Sequence, residues 1–176
     1  MRRNAMHVLI CLLACACIAL AAKVTTDYNH STDFPHYKTW SWLNVSAGDP
    51  LWPDRIRAAI TSQLTAKGWT PVAAGGDASI SAFGSTHEQP RLETFYNGFG
   101  GGWGWRGFGG LGFATTSVDY QPTGTLVVDI FDTPTKKLIW RGVANDALSD
   151  KPEKNEKKVE KAAEEMFRHF PPKAES

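Results

Sequence analysis

Residues 124–132 read Gly-Thr-Leu-Val-Val-Asp-Ile-Phe-Asp, and their pattern is the strongest limit on what this chain can fold into. Side chains alternate along an extended strand, so Leu126, Val128 and Ile130 fall on one side and Val127 and Phe131 on the other. A strand apolar on both sides belongs at the centre of a sheet, covered at least partly on each face. Asp132-Thr-Pro-Thr135 has turn chemistry, and Lys137–Val143 returns as the partner of a hairpin. Across that hairpin Asp129 is expected to pair with Arg141.

Four more segments have strand composition: Val24–Tyr28, Tyr37–Leu43, Ala78–Phe83 and Ala114–Tyr120, with Asp33-Phe34-Pro35 as a turn between the first two. Two stretches switch to the helical period. Asp49-Pro50 precedes Ile56, Ala59, Ile60 and Leu64, and Gly68 ends the run, which predicts a helix over 50–67 with Pro53 tolerated in its opening turn. Val159, Ala163, Met166, Phe167 and Phe170 form one stripe on a second helix, over 153–169, and Pro171-Pro172 stops it. Glu153 with Lys157 and Lys161 with Glu165 give its other face mixed charges four apart, as on an ordinary wet surface. Neighbouring strands favour an antiparallel meander. The expected fold class is α+β: a mainly antiparallel sheet of about five or six strands with two amphipathic helices packed on one face. Residues 23–170 make a single domain, followed by a tail over 171–176.

The chain has 176 residues, 42% of them hydrophobic, with a net charge of +1. That suits one globular domain and removes the basic field that nucleic-acid binding needs. The first 21 residues follow the pattern of a signal peptide: Arg2 and Arg3, an uncharged apolar run from Val8 to Leu20, then Ala19-Leu20-Ala21 as an A-x-A site. The run is too short to span a membrane, which takes about 20 apolar residues. Cleavage after Ala21 leaves 155 residues with 17 Lys and Arg against 18 Asp and Glu. Cys11, Cys15 and Cys17 all lie within the removed segment, so disulfides and thiolate metal sites are unavailable to the exported domain. Leu12-Leu13-Ala14-Cys15 is an alternative, a lipobox in which Cys15 becomes the lipid-bearing first residue. The A-x-A site is the better formed, since a bulky Leu stands second before Cys15. Both routes export the protein, to the periplasm or to a lipid anchor at the outer membrane.

Between the third and fourth predicted strands lies a segment, 95–113, with nine glycines and seven aromatic residues among its 19 positions, and Arg106 as its one charge. Gly102–Gly107 and Gly107–Gly112 each match the G-x-G-x-x-G pattern, but neither stands at a strand-to-helix turn, so no nucleotide cofactor is expected. Three readings remain: a low-complexity loop; a contact surface of flat rings on a supple backbone; and rings folded over the outer sheet face. As a contact surface it would use Phe99, Trp103, Trp105, Arg106 and Phe108.

Catalytic chemistry is sparse. Outside the signal, His30, His36, His87 and His169 have no metal-ligand spacing between them, there is no G-x-S-x-G elbow, and no thiol nucleophile remains. No catalytic, cofactor or metal residues are assigned. His87 with Glu88, and His30 with Asp27 or Asp33, are conceivable acid–base pairs better explained as surface residues. Asp119 and Asp129 are conceivable paired carboxylates for glycan hydrolysis.

Several blocks together resemble the family of the domain of unknown function 4136: Asp27-Tyr28; Asp33-Phe34 with Tyr37–Trp40; Asp49-Pro50-Leu51 leading into Arg55–Ile60 and Lys67-Gly68-Trp69; Asp77-Ala78; Gly124–Asp132; and Lys137–Gly142. The resemblance implies an exported bacterial envelope protein, often a lipoprotein, with an α+β domain and no established activity or cofactor. A Gly-aromatic insertion is similar to that of many members, whereas the usual Leu-Ala-Gly-Cys lipobox close before the first strand is missing. The expected function is a non-enzymatic binding or structural module whose Gly-aromatic loop touches an envelope component: a glycan, a lipid surface or a protein. An envelope-glycan hydrolase and an assembly partner of another envelope protein are the alternatives.

Overall fold

The computed structural model describes residues 22–96 and 114–172. They build a six-stranded sheet with two helices on one face. The strands are β1 (Lys23–Tyr28), β2 (Thr39–Ala47), β3 (Thr70–Pro71), β4 (Ala78–Tyr96), β5 (Ala114–Asp132) and β6 (Leu138–Ala147), and they lie in the order β1-β6-β5-β4-β2-β3. Helix α1 (Trp52–Ala66) joins β2 to β3, and α2 (Pro152–Phe167) follows β6. The expected α+β class and the one-sided helices are what is found.

The meander is a correction. β1, β6, β5 and β4 pair antiparallel in turn, but β2 pairs parallel with both β4 and β3. The reason is α1: a helix of 15 residues returns the chain to the end of the sheet where β2 began, so the next strand must run alongside it. The predicted break between Tyr120 and Gly124 is also corrected, since β5 runs through it unbroken. Leu148 donates its N–H to the Pro122 carbonyl, so Pro122 presents its backbone to the β6 side, away from β4. Its missing N–H therefore costs the β4–β5 ladder nothing. β4 likewise runs past Phe83 to Tyr96, taking Phe95 and Tyr96 into a strand rather than a loop.

Ile80, Ala82, Leu126, Val128, Ile130, Trp140 and Ala144 point to the helices and are buried. They meet Ile56, Ile60 and Leu64 of α1 and Ala162, Ala163, Met166 and Phe167 of α2, so both predicted stripes are core. Val127 and Phe131 face the other way and are half-buried, with Phe83 beside Val127 at 51% exposure. The expectation of a strand covered on both faces is thus corrected: among the described residues the helices cover one face alone.

An aromatic cluster closes the far end of the sheet, where β1 ends. Phe170 lies 5.0 Å from Trp69, 5.3 Å from Phe167, 5.5 Å from Trp140 and 5.9 Å from Phe34, each ring edge-on. Tyr37 stacks on Trp69 and Trp140 on Phe167. Such pairs add about 0.5–1.5 kcal/mol each beyond the area they bury.

Candidate functional site

The opposite end, where β1 begins, gathers the features open to function. Lys23 pairs with Asn145, so the chain enters the sheet here. Both helices also start here, after Ala47 and Ala147. From this entry end β4 and β5 run on together beyond their neighbours. Pairing of β2 with β4 stops at Gly84 and of β6 with β5 at Thr123, whereas β4 and β5 stay in register from Glu88↔Pro122 to Tyr96↔Ala114. Nine residue pairs at about 3.4 Å each make a two-stranded ribbon about 30 Å long.

Residues 97–113 join the strands beyond Tyr96 and Ala114. Phe99, Trp103, Trp105, Arg106 and Phe108 therefore lie outside the described residues, and so do Cys15, Ala21 and the tail from 173 on. What is described is their attachment: the glycine-aromatic segment is carried on the outer end of a ribbon. Periodicity misses that ribbon: the strand predicted over Ala78–Phe83 stops short of Glu88, and only the pairing with β5 carries it on to Tyr96.

At the root of the ribbon a cleft of about 300 Å³ opens between the amino-terminal halves of the helices. Trp52, Ile56, Leu126, Leu148 and Val159 wall it with carbon. Its floor is kept low by Gly84, Gly124 and Ala144 on three adjacent strands. A Cβ on Gly84 would come within 3.1 Å of Ile56 Cδ1, and one on Gly124 within 2.8 Å of Leu148 Cδ2. Several of the polar groups at the rim are engaged by one another or by the backbone. Lys158 Nζ donates to Asp146 Oδ1 at 3.2 Å and to the Ala147 carbonyl. Asn155 accepts from Ser149 N–H at 2.8 Å and donates to its carbonyl at 2.7 Å, and Asp49 Oδ1 accepts from Leu51 N–H at 2.9 Å. Sequence reading missed this cleft, since only the register shows that small residues 20 to 60 positions apart share one floor.

The carboxylates singled out in the sequence do not come together. Asp129 takes a two-pronged bond from Arg141, 2.6 Å from Nε and 2.8 Å from Nη2, as expected. Asp119 lies in the ribbon, ten residues up the same strand, about 33 Å away at strand rise. His87 contacts Gln89 rather than Glu88, with 3.1 Å between Nε2 atoms, and His30 rests 4.5 Å from the Tyr28 ring.

At the far end two further carboxylates fasten turns. Asp77 Oδ2 accepts from the N–H groups of Lys38 and Thr39 and from the Thr39 hydroxyl, and these bonds hold its carboxyl below the ordinary range. Asp132 is lowered in the same way by Thr135, through side chain and backbone. Tyr37 donates its hydroxyl to Asp132 at 3.0 Å; burial first and then this carboxylate push its pKa up to about 12. Among the described residues no group of three or more His, Cys, Asp or Glu could hold a metal, and no helix is long and apolar enough to cross a membrane.

The family model of the domain of unknown function 4136 matches residues 24–172. Comparison with curated proteins gives no significant match. Among solved structures, the chain is similar to a PDZ domain protein from Parabacteroides distasonis at 17% identity and a TM-score of 0.55, over 86% of this chain and 36% of that one. The chain thus spans about a third of that protein's length, and the likeness shows the fold. Weaker likenesses are to the PelC dodecamer from Paraburkholderia phytofirmans, 11% identical with a TM-score of 0.47 over 81% of this chain and 94% of that one, and to lipoprotein GNA1162 from Neisseria meningitidis, 11% identical with a TM-score of 0.41 over 75% and 99%.

Proposed function

The chain belongs to the family of the domain of unknown function 4136, and on that footing we propose that it is an exported envelope lipoprotein, anchored through Cys15, that works by contact rather than catalysis. Its contact surface is the glycine-aromatic segment, with Phe99, Trp103, Trp105, Arg106 and Phe108 meeting a glycan, a lipid surface or a protein of the envelope. The observation that carries this reading is the ribbon: continuous pairing to Tyr96↔Ala114 places the segment's two attachment points about 30 Å beyond the root of the ribbon. A segment that served only to pack the core would need no such arm.

The start of β1 favours Cys15 as the anchor. Processing there leaves eight residues ahead of Lys23, a spacer between lipid and sheet, whereas processing after Ala21 would leave a single residue before the strand.

Deleting residues 98–112 in a Cys15→Ser background tests the contact surface, because an acyl anchor would by itself hold the protein in the membrane. The expected result is an unchanged melting temperature with loss of association with envelope fractions. Unchanged fractionation would overturn the reading.

A further inference from the structure

We infer that the outer edge of β1 is the interface between two copies of this chain, which pair antiparallel about a two-fold axis at Thr25 and join their sheets into one. β1 ends the strand order, so among the described residues its outer edge has no neighbouring strand. Which backbone groups lie on that edge follows from two bonds. Asn29 donates its N–H to the Ile139 carbonyl at 2.9 Å, continuing the ladder with β6, whereas the Tyr28 N–H goes to the Asp27 carboxylate. Successive residues of a strand turn their N–H and C=O groups to opposite edges. Hence Lys23, Thr25 and Asp27 bond to β6, and Val24 and Thr26 offer theirs outward.

That parity limits how a second copy can pair, since outward groups must meet outward groups. Centring the axis on Thr25 sets Val24 against the partner's Thr26, each pair exchanging both backbone bonds, and Lys23 against the partner's Asp27. It is the one register that brings this lysine and this aspartate face to face, and the two-fold makes the contact twice. Centring on Thr26 instead would set Val24 opposite Tyr28, whose N–H the Asp27 carboxylate already takes, and Lys23 opposite Asn29. The charges of the sheet select the same register. Arg141 stands between Asp129, its two-pronged partner, and Asp27 across the β1–β6 ladder. Lys23 of a second copy extends that row, which then alternates minus, plus, minus, plus over four strands. The other edges carry features that discourage pairing: Pro71 in β3, a bulge between Trp42 and Asn44 in β2, and Pro90 and Pro122 in the ribbon. β1 has no proline, glycine or bulge, and Val24, Thr25, Thr26 and Tyr28 all favour strands. On the helix side Val24 and Thr26 floor a hollow of about 770 Å³ beside the carboxyl-terminal end of α2, so the strand is open there as well.

The test is disulfide trapping of the full chain in intact envelopes under a mild oxidant, in a Cys17→Ser background whose own yield of dimer sets the baseline. On the axis, Thr25 and its copy form a non-hydrogen-bonded pair with about 4.5 Å between Cα atoms, within disulfide reach. Thr26 and its copy lie on a diagonal at about 8 Å, beyond that reach. The expected result is that Thr25→Cys gives a reducible species of twice the monomer mass and Thr26→Cys several-fold less. Adding Lys23→Asp, which sets carboxylates face to face, should cut the Thr25→Cys dimer several-fold at an unchanged melting temperature, and Lys23→Arg should keep it. Equal trapping at 25 and 26 is random collision and overturns the pairing. An undiminished dimer with Lys23→Asp overturns the register. No dimer from Thr25→Cys, or an adduct of another mass, overturns the second copy as the occupant of this edge.

Discussion

Asp129 and Arg141 share the face of the sheet opposite the helices, where a two-pronged bond has good geometry but water close by. Half of the Arg141 side chain is exposed, and pairs in that setting contribute less than about 1 kcal/mol. Arg141→Met should therefore lower the melting temperature by a few degrees at most and leave envelope association intact. Loss of association at an unchanged melting temperature would make Arg141 a ligand group instead. Asp77 and Asp132 act on stability through pH. Each is held below its unfolded value, near 3.9 for an aspartate, so each stabilises the fold fully above about pH 4. That contribution is lost as the pH falls through the lowered folded value. Asp77→Asn should cost stability in urea titrations at pH 6 and progressively less as the pH drops below 4. Tyr37 has the mirror-image effect: its raised pKa stabilises the fold below about pH 10 and the benefit disappears as the pH rises toward 12.

The ribbon is the element whose behaviour should differ most from the rest. A two-stranded sheet without a third strand or a covering helix is marginally stable by itself. Hydrogen exchange should therefore show amides of 88–96 and 114–122 opening well before those of 126–130 and 140–144, and equal protection would mean that something covers the arm. Pro90 and Pro122 stand near its root. Pro90 sits two residues beyond Glu88, whose partner is Pro122, so both prolines turn their backbone to the outer edges and blunt those edges against stray pairing. The two helices, β6 and the Asp129–Arg141 pair were legible in the sequence because period, caps and turn residues are local properties. The parallel β2–β4 pair was not, because nothing in Tyr37–Leu43 or Ala78–Phe83 encodes direction; the helix between them decides it. The cleft was hidden for a related reason: Gly84, Gly124 and Ala144 are unremarkable one by one and meaningful once three strands are in register.

At the scale of the molecule the two ends differ in kind. The far end is sealed by rings from β6, α2, the segment before β2 and the turn after α1, with Phe170 touching four of them. Phe170→Ala should cost about 3–5 kcal/mol, the usual range for emptying a buried aromatic position, measured by denaturant unfolding. A loss below about 1 kcal/mol would mean that the cluster closes without it.

The first strand has a consequence in time as well as in space. β1 has β6 as its neighbour in the sheet, and the paired residues lie more than a hundred positions apart in sequence. During synthesis or threading from the amino terminus, Lys23–Tyr28 must wait unpaired until residues 138–147 have emerged, after every other strand. The first strand is thus outside the sheet for nearly the whole passage of the chain. A processing enzyme that acts ahead of Lys23 has that full interval before β1 is locked into the sheet.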